Sequence, residues 1–232
     1  MSITRYRFRW MRLIVLALVV LMVSGCMLAR SSGSVSIIAP QLDTAVDADW
    51  PEVDWAVLVQ RPVADQMRNS DRMLVRASRS RLQPWPEAAW LDSMPDMVHS
   101  LLIQSLEDSG RFAGVGRAGG MRSRFGLVSE IRSFEAVDDG SGALVVELGM
   151  RINLVHQPTG RVMATNSFER SRSVDDRSLD ALVVAFEETM AGLFADVTGW
   201  VLAAGEEASV DLQEWRDRDR ASGTRGRPSR GD

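Results

Sequence analysis

Between residues 143 and 155 the side chains Leu144, Val146, Leu148, Met150, Ile152 and Leu154 fall on every second position. Glu147, Arg151 and Asn153 fall between them. In an extended chain successive side chains point to opposite faces, so this run is a strand with one apolar and one polar face. Gln157-Pro158-Thr159-Gly160 then makes a turn, and about 161–172 returns as a partner strand. Upstream, Arg124 to Ala136 is a third strand, joined to the long one by Asp138-Asp139-Gly140-Ser141-Gly142. The three form an antiparallel meander whose apolar face must be covered.

Two amphipathic helices are available to cover it. The first is predicted to start at Ser93, with Asp96 three residues on as a capping box and Pro95 in the first turn, where a missing N–H costs nothing. Met94, Met97, Val98, Leu101, Leu102 and Leu106 mark its apolar stripe, and Gly110 stops it. The second is predicted over about 178–204, with Leu182, Val183, Phe186, Met190, Leu193, Phe194, Val197 and Val201 on one face. Further strands are expected at Trp55–Val59, ended by Pro62, at Met73–Arg76, and within about 79–91. Together these elements predict an α+β, two-layer domain, a mostly antiparallel sheet with two amphipathic helices packed on one face.

The start of the chain has a different character. Arg5, Arg7, Arg9 and Arg12 precede an apolar run from Leu13 to Val23, followed by Ser24, Gly25 and Cys26. The apolar run is 11 residues long, short of the roughly 20 that a spanning helix needs. Basic start, apolar run and small residues are the three parts of a secretory signal. Val23-Ser24-Gly25-Cys26 resembles the lipobox of the bacterial lipoprotein pathway, in which the thiol is the nucleophile that accepts the lipid. That resemblance implies a signal peptide over 1–25 and lipid attachment at Cys26, as a thioether diacylglycerol and an amino-terminal acyl chain of the palmitate kind. Two or three chains anchor stably where one does not. Met27 rather than Asp follows the cysteine, which leans towards the inner face of the outer membrane.

The organisation expected is therefore a signal over 1–25, a lipidated N-terminus and flexible tether over 26–36, a folded domain over 37–205, and a charged, disordered tail over 206–232. The chain carries a net charge of −4, and loss of the four arginines of the signal, with no acid among them, makes the remainder more acidic. Such a balance argues against a nucleic-acid partner. Cys26 is the single cysteine, which leaves no disulfide and no cysteine-based metal site or nucleophile.

Little else has the residue types that catalysis needs. His99 and His156 are the two histidines, with no spacing that suggests a shared site, and both read as partly exposed structural residues. Asp138/Asp139 and Asp175/Asp176 sit at turn signals, where turn chemistry explains them. Gly114-Val115-Gly116 and Gly119-Gly120 lie between strands without phosphate-loop spacing, and no GxSxG elbow occurs. Trp50, Trp55, Trp85, Trp90 and Trp200 lie near element ends and read as core and rim packing. No catalytic residue, no metal ligand and no cofactor beyond the lipid on Cys26 is expected.

The order of several local phrases resembles the ABC-type transport auxiliary lipoprotein family, the PqiC-like group. Trp90 stands before the helix from Ser93, which leads into Ser109-Gly110-Arg111-Phe112-Ala113-Gly114-Val115. A strand ending Ile131-Arg132-Ser133-Phe134-Glu135 follows, then the long alternating strand, Gly160-Arg161-Val162, Phe168 and a closing amphipathic helix. The resemblance covers about 55–202; the stretch 37–54 and the charged tail show no such pattern. It implies a non-catalytic, outer-membrane-anchored periplasmic component of an MCE-type (mammalian cell entry) ABC transporter that moves phospholipids or related lipids between inner and outer membranes. The implied partner is the MCE-domain protein, with self-association possible through exposed strand edges. The rival expectation is an envelope-integrity or outer-membrane assembly lipoprotein that binds a membrane protein or peptidoglycan and moves no lipid; a periplasmic hydrolase is the remote third.

Overall fold

A computed structural model describes residues 34–223 apart from 45, 139 and 141, and leaves aside the side chains of 216, 219 and 221–223. Cys26, the lipobox residues Val23, Ser24 and Gly25, the signal over 1–25 and the tether up to 33 lie outside the described residues. Among those described, no helix is long and apolar enough to cross a membrane.

The element order is β1 (Ser36–Ile38), β2 (Ala56–Val59), β3 (Arg72–Ser78), β4 (Arg81–Trp90), α1 (Met94–Asp108), β5 (Gly114–Arg117), β6 (Phe125–Asp138), β7 (Leu144–His156), β8 (Arg161–Ser173) and α2 (Leu179–Gly223). The expected meander is present. β6 pairs β7 antiparallel from Phe125↔His156 to Asp138↔Leu144, and β7 pairs β8 from Val145↔Ser173 to His156↔Arg161. Leu144, Val146, Leu148, Ile152 and Leu154 are at most 1% exposed, so the predicted apolar face is the buried one. α1 and α2 contribute their stripes to the same core cluster, which gives the α+β architecture with both helices on one sheet face.

The other edge of β6 is shared by two strands. β2 lies parallel to its first residues (Val57↔Phe125), and β3 lies parallel to its last (Val75↔Ala136). Between them the chain after β2 runs along the middle of β6, where the N–H of Val63 donates to the Ser129 carbonyl and that of Ile131 to the Val63 carbonyl, at 3.0 and 2.8 Å. β4 and then β1 extend the sheet beyond β3, and β5 extends it beyond β2. A bulge at Arg132 interrupts the β6–β7 register between Ile131 and Ser133. One extra residue exchanges the faces of everything after it. Phe125, Leu127 and Ile131 are therefore buried before the bulge, and Phe134 and Ala136 after it.

Two expectations are corrected, one at 114–116 and one in the tail. Gly114-Val115-Gly116 is itself a strand, β5, paired parallel to Ala56, Val57 and Leu58. Its glycines hid it from any alternation pattern, and their bare faces are filled by Met121, whose Cε lies 3.1 Å from where a Gly114 Cβ would stand. The stretch 37–54 belongs to the domain. It opens with β1, parallel to β4, and then touches both helices: the Gln41 N–H donates to Glu187 Oε1 on α2 (2.9 Å), and Thr44 Oγ1 lies 3.1 Å from Ser105 Oγ on α1.

The second correction concerns the tail. Residues 206–223 continue α2 as helix instead of leaving the domain at 205. The reason is a stripe that the charges conceal: Ala208 and Leu212 are each 4% exposed and extend the row from Val201, while Glu206, Glu207, Asp211 and Glu214 take the outward positions. Residues 224–232 lie outside the described residues.

Two tryptophans are seated on glycines of this helix. Trp55, 2% exposed, packs so close to Gly205 that a Cβ there would come within 2.3 Å of its ring, and Trp50 lies 3.0 Å from the corresponding point on Gly199. Trp55 also meets Phe112 and Phe125 edge to face at 5.5 and 5.0 Å. Trp90 does the same with Phe186 and Phe134, tying β4 and β6 to α2.

At the start of α1, Ser93 is the N-cap without a side-chain bond to the helix backbone. Its hydroxyl bonds the Asp96 carboxylate instead, which also accepts from Arg61 Nε at 2.6 Å. The predicted pair of residues meets, but side chain to side chain. At the other end Gly110 adopts φ +65°, the left-handed conformation that lets the chain leave the helix.

Gly205→Ala is expected to lower stability by about 1 kcal/mol, because overpacking against a rigid indole exceeds the gain in helix propensity. A urea-unfolding midpoint that rises in the variant would contradict the close seat. The bonds from Arg61 and Ser93 hold the Asp96 carboxyl at about 2, below its unfolded value near 3.9. Its contribution is present above pH ~4 and fades as the pH falls towards 2. The stability gap between the native chain and Asp96→Asn should therefore narrow from pH 5 to pH 2. It should be at most about 1 kcal/mol at pH 5, since both partners are nearly half exposed and solvent screens them. A gap constant across that range would show that the charge is not what matters there.

Candidate functional site

The residues singled out from sequence are held by separate structural partners. His99 is 6% exposed, more buried than expected. Its Nε2 donates to the Val59 carbonyl and its Nδ1 accepts from Arg117 Nη1, both at 2.9 Å, so the neutral ring links α1 to β2 and β5. His156, half-buried at the end of β7, places Nδ1 2.8 Å from Thr159 Oγ1 within the hairpin turn. Asp138 accepts from the Gly140 N–H and from Arg177, which hold its carboxyl below the usual range. Asp176 accepts from the Ser178 N–H at the entrance of α2 (2.6 Å). These are turn and cap contacts; Asp139 lies outside the described residues. Among the described residues no group of three or more His, Cys, Asp or Glu side chains could hold a metal ion.

One buried charge cluster went unnoticed in the sequence. Glu135 is 1% exposed on the sheet face away from the helices. The bulge at Arg132 turns it there, and the 60s loop covers it. Its carboxylate accepts from Arg68 Nη2 at 2.7 Å, from Arg68 Nε at 3.1 Å, from Arg76, and from the Phe134 N–H at 2.6 Å. Arg68 also bonds Asp65. Burial alone would lower the Arg68 guanidinium, but its bonds to Glu135 and Asp65 outweigh that and raise it. Every lone-pair direction of Glu135 is directed at a donor of the chain itself. The cluster fastens the loop between β2 and β3 to β6.

The concave feature lies at one end of the sheet, where β6 begins, β7 ends and β8 begins. The registers Phe125↔His156 and His156↔Arg161 bring those three ends together. α2 passes this end: Arg124 Nη1 donates to Ser209 Oγ at 3.2 Å, and Leu212 is the last buried residue of the described helix. A cleft of about 500 Å³ opens there, lined by Arg124, His156, Pro158, Arg161, Leu212 and Trp215. Trp215 is 51% exposed, three positions past Leu212 on the same helical stripe. Among the described lining residues the charged groups are two guanidiniums, with no carboxylate. Arg124 has a loose ion pair at 3.6 Å with Asp54, which is itself 86% exposed. A second depression of about 410 Å³ adjoins at Pro158 and carries Arg122 and Met121. Sequence reasoning missed this site because Trp215 fell in the presumed tail; the spacing of Ala208, Leu212 and Trp215 was the available signal.

With this geometry in hand, similarity to known proteins can be placed on it. Residues 36–198 match the family described as ABC-type transport auxiliary lipoprotein component. The match runs from β1 through α1 and all later strands into the first part of α2, and the chain belongs to that family. It therefore includes 37–54, where the sequence showed no family pattern. A crystal structure of a protein from Xanthomonas campestris superposes with a TM-score of 0.72 at 29% identity, covering 75% of this chain and 98% of that one. A crystal structure of an uncharacterized protein shares the fold at a TM-score of 0.52 and 15% identity, over 67% of this chain and 97% of that one. An uncharacterized protein of Bradyrhizobium diazoefficiens is 28% identical over 155 residues, which is 64% of this chain and 40% of that protein. This chain thus matches well under half the length of that relative.

Glu135→Ala is expected to destabilise the fold by about 3–5 kcal/mol, since it leaves Arg68 charged and buried without its partner. Adding Arg68→Met should restore most of that loss in chemical denaturation. If the double variant is as unstable as the single one, the stranded charge is not the cause.

Proposed function

We propose that this chain is an outer-membrane-anchored, non-catalytic periplasmic component of an MCE-type ABC transporter that moves phospholipids or related lipids between the inner and outer membranes. The observation that carries this reading is the family match, which spans the sheet, the first helix and the start of the second. Around it stand two sequence features: Val23-Ser24-Gly25-Cys26 as lipid-attachment motif and Met27 as a residue compatible with export to the outer membrane. The lipid on Cys26 holds the domain at the membrane. The domain then acts through contact with the transporter's MCE-domain protein. The described histidines and the buried carboxylate of Glu135 are bonded within the fold, which is consistent with a role by contact.

Crosslinking in intact cells followed by purification of the tagged chain should recover the MCE-domain protein; recovery of none would sink the reading. Cys26→Ser should abolish metabolic palmitate labelling and remove the chain from the outer-membrane fraction. An unchanged fractionation would show that something other than the lipid holds it there.

A further inference from the structure

The cleft between the hairpin turn and the far end of α2 combines two features that a folded domain does not need for its own stability. Trp215 presents an indole half in water, on a stretch of α2 past its last buried described residue, Leu212. Beside it, Arg124 and Arg161 bring guanidiniums to a lining without a carboxylate, and no ion pair of Arg161 occurs among the described residues. Arg122 adds a third guanidinium at the adjoining depression. Exposed aromatic surface with planar cations at its rim is the pattern of a site for an amphiphile whose head is an anion. Guanidinium forks match phosphate oxygens in pairs. The indole offers apolar area with a polar N–H at its edge. The volume of about 500 Å³ lies within the roughly 300–1,000 Å³ typical of small-molecule sites. That is room for a head group and part of an acyl chain, not for a folded partner.

We infer that this cleft binds a single anionic phospholipid, with the phosphate between Arg124 and Arg161 and an acyl chain along Trp215, Leu212 and Pro158. This rests on the lipid-transport reading for the choice of phospholipid among anionic amphiphiles. The Asp54 partner of Arg124 is no obstacle: at 3.6 Å and 86% exposure it is a screened surface pair that a closer phosphate displaces at little cost. His156 is already bonded to Thr159, and the hairpin turn it belongs to forms the opposite wall.

The test uses the mature lipoprotein reconstituted in phosphatidylcholine vesicles that contain a photoactivatable phosphatidylglycerol. Irradiation should label peptides containing Trp215 or the 156–161 turn. Unlabelled phosphatidylglycerol should compete, and inorganic phosphate at equal concentration should not. Arg161→Glu and Trp215→Ala should each reduce labelling about tenfold, the scale of one lost charge-assisted contact. Their unfolding midpoints should stay unchanged, since both side chains are exposed; Arg161→Lys should retain part of the labelling. Labelling of either variant at the native level, or competition by inorganic phosphate as effective as by lipid, overturns the inference. A second arm separates it from the function proposed above. If the variants label normally while the MCE-domain protein is still captured, the cleft assignment falls and the transporter reading stands. If labelling behaves as expected but no MCE-domain protein is captured, the lipid site stands without that transporter.

Discussion

Strand β6 has more neighbours than a strand has edges to give, and the rest of the sheet depends on how it shares one of them. Its β7 side is continuous. Its other side serves β2 at the start and β3 at the end, with backbone of the intervening loop between them. That division is stable only if the loop is held in place, and Glu135 holds it. The carboxylate is buried because the bulge at Arg132 has turned it away from the core and under the loop. There it meets two arginines and a backbone N–H. Removing water from a carboxylate is costly unless every acceptor site is filled, so the group acts as a selector for one loop conformation. β3, β4 and β1, three of the eight strands, hang from the position so fixed.

The features easiest to read in the sequence were those whose pattern repeats. The alternation of 144–154 and the stripes of α1 and α2 give their periods directly, and the layers follow. What escaped was local or aperiodic. β5 is built from Gly114 and Gly116, which have no side chains to alternate. β1 is three residues long, below the length at which a pattern exists. The bulge at Arg132 exchanges faces in mid-strand, so β6 appears irregular until its partner is known. The end of α2 was hidden by composition: charged residues dominate 206–223, and only every third or fourth position shows the apolar row that keeps it helical. The cleft was lost with it, because its wall was assigned to the tail.

The charged groups of the domain fall into two populations. Those that are buried are fully engaged: Glu135 with Arg68 and Arg76, and Arg68 also with Asp65. The guanidiniums at the open end of the sheet are not bound in that way. A fold that neutralises its interior charges internally, yet leaves arginines around an exposed indole, has put its unspent binding capacity in one place. That end is also where three strand termini and a helix meet, and the registers of β6, β7 and β8 set their spacing rigidly.

The helix that makes one wall of this cleft is 45 residues long, on the order of 65 Å at 1.5 Å per residue. Its first three quarters, as far as Leu212, are clamped by the core. Past Leu212 the described side chains are exposed, and a few turns of helix on their own are marginal. The domain and its cleft are therefore governed by separate free energies. Fraying of the last turns dismantles the wall that bears Trp215 and leaves every strand in register, so the opening of the site is a local event that global unfolding does not report.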